Sequence, residues 1–99
     1  MSELRYLTPA REEFLHALAY YEAEAPGLGA EFLEQLQAAE SLILSNPRIG
    51  VVVERDLRRV LLQRFPFYLL YSIEPDGHIV VTALGHQRQE PGYWRWRTE

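Results

Sequence analysis

The stretch from Gly85 to Arg97, GHQRQEPGYWRWR, places one histidine, three arginines and three large aromatic side chains within thirteen positions. Cutting RNA by attack of its own 2′-hydroxyl needs a base, an acid for the leaving oxygen and cations for the charge that builds on phosphorus. His86 offers an imidazole, the group that exchanges protons most readily in the physiological range. Tyr93 offers a hydroxyl proton. Arg88, with Arg59 and Arg64 from earlier in the chain, offers guanidinium forks that match phosphate. The same residues also read as a gripping surface, because aromatic and arginine side chains dominate the energetics of protein interfaces. Tyr93, Trp94 and Trp96 would supply area there, while Arg88, Arg95 and Arg97 would supply forks for carboxylates. A plainer reading finishes a sheet: Trp94 and Tyr93 close the core, His86 bonds to backbone at a strand end, and Pro91-Gly92 makes the turn.

The elements that must position these groups follow from periodicity and turn chemistry. Glu3 to Leu7 alternates and reads as a short strand. Thr8-Pro9 reads as a helix start, with a hydroxyl at the cap and proline at the first helical position. Ala10, Phe14, Ala17, Leu18, Tyr21 and Ala25 recur at three and four residues and predict one apolar stripe. Pro26-Gly27 breaks that helix. A second runs from about Leu28, with Phe32, Leu36, Ala39 and Ile43 on one face, until Asn46-Pro47 ends it. Leu57 to Gln63, Phe67 to Ile73 and His78 to Leu84 are rich in branched and aromatic residues and are separated by Phe65-Pro66 and Glu74-Pro75-Asp76-Gly77. They predict three successive antiparallel strands. The fold class is α+β in the order β-α-α-β-β-β, with a helical hairpin on one face of a mostly antiparallel sheet. The middle strand is apolar on both sides. Phe67, Leu69, Tyr71 and Ile73 should meet the helices, and Tyr68, Leu70 and Ser72 need a different lid.

Length and composition limit what this architecture can be. Ninety-nine residues predict one domain, 1–99. The absence of cysteine excludes a disulfide framework and a thiolate metal site. No leader pattern or membrane-length apolar run is present, so the expected location is the cytoplasm. The net charge of −4 argues against a general nucleic-acid coat, and no direct sequence-specific nucleic-acid binding is expected. That charge is unevenly spread: residues 1–50 carry eight acids and three bases, residues 51–99 six acids and seven bases, and every base is arginine. Glu12, Glu13, Glu22, Glu24, Glu31, Glu34 and Glu40 read as a solvated helical exterior. His16 and His78 lack ligand spacing to His86, and no metal or cofactor is expected.

With the order of elements in place, four stretches carry a resemblance: YYEAEAPGLGAEFLEQLQ (20–37), SNPRIG (45–50), RRVLLQRFPFYLLYSI (58–73) and ALGHQRQEPGYW (83–94). Together they resemble the RelE/ParE superfamily of bacterial toxin–antitoxin toxins, the ParE branch most, over about Leu4 to Arg97. The resemblance implies a small toxin made beside an antitoxin whose extended and helical tail wraps it. In the ParE branch it implies action on DNA gyrase; in the RelE branch, cleavage of messenger RNA on the ribosome. Nucleases of the RelE type resemble this chain around FYLLYSI but carry arginine where Tyr68 stands. They also carry basic residues at Leu61 and Gln63 and arginine at Gln87, so only Tyr93 matches their catalytic set.

The expectation is therefore a ParE-like toxin that acts by binding. His86, Arg88, Tyr93, Trp94 and Arg97 are assigned to the target, and Arg59, Arg64, Tyr68 and Leu70 to the antitoxin. The alternatives are a ribosome-dependent nuclease and a non-toxic relative that keeps only the antitoxin contact. An uncovered sheet face or helix stripe also leaves room for a homodimer or a hetero-oligomer with the antitoxin.

Overall fold

Leu4–Tyr6 forms the first strand, β1, and the chain passes from it into the first helix, α1 (Thr8–Glu24), without a linker. A computed structural model describes residues 3–97. Leu7, not Thr8, occupies the cap position and no side chain closes it. The reason is local: the Leu7 N–H donates to the Val81 carbonyl at 2.9 Å while its own carbonyl accepts from Arg11 at 2.9 Å. One residue ends the strand pairing and starts the helix, so the hydroxyl has nothing to cap. Gly27, in left-handed backbone with φ 90, makes the break to α2 (Leu28–Ser45). Glu22 reaches back across this break to accept the N–H groups of Gly27 at 3.1 Å and Gly29 at 3.0 Å. These are amides that a helix start would otherwise leave unpaired.

The sheet has five strands, one more than predicted. After a short 3₁₀ turn at Pro47–Ile49 come β2 (Val51–Glu54), β3 (Leu57–Leu61), β4 (Phe67–Ile73) and β5 (Ile79–His86). The added strand is β2, which pairs antiparallel with β3 across a tight turn at Arg55-Asp56. Spatial order is β1-β5-β4-β3-β2. β1 lies parallel to β5, and all other neighbours are antiparallel.

Alternation along β4 divides the interior in two. Leu69 and Tyr71 face the helices and are fully buried with Phe32, Leu36 and Ile43 of α2 and Ala10 and Ala17 of α1. The four apolar positions predicted for α2 are all buried. The Tyr71 hydroxyl donates to the Pro47 carbonyl at 2.6 Å and accepts the Gly50 N–H at 3.0 Å. A fully buried phenol thus ties the 3₁₀ turn to the central strand with no polar group left open. Tyr68 and Leu70 face the other way, into a smaller cluster with Ala83 and Trp94.

Candidate functional site

The lid for the second sheet face is the chain's own carboxyl-terminal segment. Beyond β5 the backbone turns through Gly92, at φ 85, and lays Trp94 over Leu70, Tyr68 and Ala83. Trp94 is 6% exposed, whereas Trp96 two residues on is 91% exposed. Tyr68 lies directly over Gly85: a Cβ there would sit 2.4 Å from the tyrosine Cζ, so only glycine lets the ring lie flat on β5.

Two acidic side chains pin this segment. Strand β1 covers β5 only from Ile79 to Val81, so the β5 edge beyond it needs other partners. Glu13 of α1 supplies one, its Oε1 accepting the Leu84 N–H at 3.0 Å. The same carboxylate accepts both terminal nitrogens of Arg97, at 2.8 and 2.9 Å, and the Tyr93 hydroxyl at 2.7 Å. Arg97 also donates to the Thr82 carbonyl at 3.1 Å and lies over the Tyr93 ring, 4.9 Å from its centroid. Burial first, then the hydrogen bond to Glu13 and its charge, hold the Tyr93 hydroxyl well above the usual phenol range. On the far side Arg95 donates to Glu54 of β2 at 2.8 Å while lying over the Trp94 ring. One clamp thus joins the segment to α1 and the other to β2.

Four of the five residues assigned to the target divide between two clefts, and Tyr93 lines neither. His86, Arg88 and Arg97 line a cleft of about 910 Å³ between α1 and the end of β5, with Glu12, His16 and Tyr20 opposite. There His86 Nδ1 accepts the Arg88 N–H at 3.0 Å and its ring meets Phe67 edge-on. Arg88 is exposed, and its guanidinium makes no ion pair among the described residues. Trp94 belongs to the opposite sheet face. The arginine forks expected to reach partner carboxylates hold the chain's own: Arg97 takes Glu13 and Arg95 takes Glu54.

The residues assigned to the antitoxin are also separated. Arg59, Tyr68 and Leu70 border a second cleft of about 410 Å³ beside Trp94 and Arg95. Arg59 is exposed and unpaired among the described residues, but Leu70 has no exposed surface because Trp94 covers it. Arg64 lies apart, paired at 2.8 Å with Glu31 of α2.

Sequence reasoning missed Glu13, Glu22 and Glu54. Glu13 had a signal: it stands three residues after Ala10 and four before Ala17, inside the apolar stripe rather than on the solvated exterior. A lone acid on a buried stripe implies a buried partner. Its partners, however, are 71 to 84 positions away.

A family model for the ParE toxin of type II toxin–antitoxin systems, parDE, matches residues 4–91. A search of curated proteins finds no match. Among solved structures, the chromosomal ParDE TA system from P. aeruginosa is similar at 16% identity and a TM-score of 0.73, covering 87% of this chain and 96% of that one. The isolated E. coli RelE toxin is similar at 19% identity and TM-score 0.65, covering 96% and 94%. The intact E. coli RelBE toxin–antitoxin complex is similar at 19% identity and TM-score 0.66, covering 90% of this chain and 100% of that one.

Proposed function

From the premise that this chain belongs to the ParE toxin family of type II toxin–antitoxin systems, we propose that it arrests growth by binding DNA gyrase in the cytoplasm and that a cognate antitoxin neutralises it. The observation that carries the binding reading is the Glu13 clamp. A phosphate-cleaving site needs its proton donor and cations free to meet substrate. Here the Tyr93 hydroxyl and the Arg97 fork are both committed to one internal carboxylate. Arg88 and Arg59, unpaired among the described residues, border different clefts, so they do not converge on one phosphate.

The antitoxin reading rests on the second sheet face. Arg59 is exposed there and makes no ion pair among the described residues, so this face suits a partner that brings carboxylates. Among the described residues no helix is long and apolar enough to cross a membrane.

The functional test is a supercoiling assay with purified gyrase. The proposal expects dose-dependent inhibition by the purified chain, relieved by equimolar antitoxin. Full supercoiling at a large excess of the chain contradicts it.

A further inference from the structure

The turn that carries Arg88 is built on a single residue. His86 ends β5 and donates its N–H to Gln89 Oε1 at 2.8 Å. Its carbonyl accepts the Gln89 N–H at 3.0 Å, and its ring Nδ1 accepts the Arg88 N–H at 3.0 Å. The Gln87 N–H is held separately, by the Pro66 carbonyl at 2.9 Å. A side-chain acceptor for the amide two residues on is the device by which asparagine and aspartate shape turns. Here an imidazole takes that place. A ring nitrogen that accepts an N–H carries no proton of its own, so the turn is made by the neutral ring. Phe67 meets that ring edge-on, 5.0 Å between centroids, and supports its orientation.

Arg88 is what this turn presents to the cleft, exposed and without an ion pair among the described residues. The other arginine of the cleft, Arg97, is balanced by Glu13. The α1 wall adds a second acid, Glu12. One open guanidinium facing a wall with two acids is a poor match for a run of phosphates, which those acids repel. It is a good match for a single carboxylate held beside apolar groups such as Pro9, Pro66 and Phe67. We propose that the cleft grips an acidic segment of the protein target through Arg88, and that His86 is the positioning residue whose uncharged ring aims that arginine. The proposal rests on the binding reading above and adds to it the chemistry of the contact and a dependence on pH. Protonation of Nδ1 turns the acceptor into a donor that faces the Arg88 N–H, and the turn opens. The grip is therefore complete above the range in which histidine changes charge and is lost as pH falls through it. The groups facing the ring across the cleft are Glu12, Glu13, His16, Tyr20 and Tyr21 of α1 and Arg97 of the carboxyl-terminal segment. Of these, only His16 is of a type that titrates in the same interval.

Binding of the purified chain to immobilised gyrase, measured from about pH 8 down to about pH 5, tests it. Wild-type affinity should fall by about tenfold or more across that interval, and Arg88→Glu should lose about as much at the alkaline end already. His86→Asn keeps an acceptor that takes up no proton. It should bind within about threefold of the wild type at the alkaline end and hold that affinity in acid. His86→Leu, with no acceptor, should bind weakly at every pH, and His16→Gln should keep the wild-type loss. Equal binding by Arg88→Glu and the wild type, or an acid loss that persists in His86→Asn, overturns the proposal and leaves the gyrase reading standing. A wild-type chain that does not bind gyrase at any pH removes both. Binding of a single-stranded RNA oligomer that depends on Arg88 overturns the proposal in favour of a phosphate ligand.

Discussion

Glu13→Ala is expected to lower stability by about 2–4 kcal/mol and to free the carboxyl-terminal segment. The substitution removes the acceptor of the Leu84 N–H, both Arg97 terminal nitrogens and the Tyr93 hydroxyl at once. Loss of one partner from a fully buried ion pair costs more than this. Here the side chains of Arg97 and Glu13 keep 17% and 20% exposure, so water recovers part of the loss. Equilibrium denaturation gives the magnitude. Tryptophan emission gives the location: Trp94 should shift to the red against the constant background of exposed Trp96. Glu13→Gln keeps one acceptor oxygen and should fall between the two. A Glu13→Ala chain of unchanged midpoint and emission would mean that the clamp does not hold the lid.

Phe32→Ala should cost still more, about 3–5 kcal/mol, because a large buried ring leaves a cavity that the surroundings fill only in part. Phe32 has no exposed surface and lies within 5.2–5.5 Å, centroid to centroid, of Tyr21, Phe65 and Phe67. That cluster joins both helices to the turn between β3 and β4. A domain of this size has about 5–15 kcal/mol in all, so the variant should lose a large share of its stability and unfold at a much lower denaturant concentration than the wild type. Denaturant titration at low temperature measures the loss. A cost below about 1 kcal/mol would show that the cluster is loosely packed and that the helices are held elsewhere.

These two residues mark what could and could not be read from sequence. Phe32 was legible because helical burial is a local, periodic signal; Leu36, Ala39 and Ile43 follow the same rule, and all are buried. The division of β4 into a helix-facing and a lid-facing set was legible for the same reason, since alternation is fixed by strand geometry. The identity of the lid was not, because Trp94 reaches Leu70 by a turn whose direction depends on distant anchors. Glu13 and Glu54 are those anchors, and their partners lie 84 and 41 positions away. No periodicity encodes such pairs. Strand β2 had a plain local signal in three consecutive valines. Placing β1 parallel to β5 required knowing how the helical hairpin returns the chain across the sheet.

The RFPF stretch illustrates how a family pattern and a physical role can coincide. Phe65 and Phe67 complete the ring cluster around Phe32, while Arg64 covers the Phe65 ring and pairs with Glu31. The stretch holds the fold, whereas the cations Arg59 and Arg88, unpaired among the described residues, lie one on each side of it in sequence and border separate clefts.

Whether the Tyr93 hydroxyl serves the lid or performs chemistry is decided most directly by inducing the wild-type chain and Tyr93→Phe side by side and mapping the ends of ribosome-bound message. Removing one oxygen keeps the ring under Arg97 and leaves Glu13 its bonds to Arg97 and Leu84. The binding account predicts intact message in both strains and growth arrest in both. Site-specific cuts with the wild type that vanish, together with the arrest, in Tyr93→Phe would contradict it.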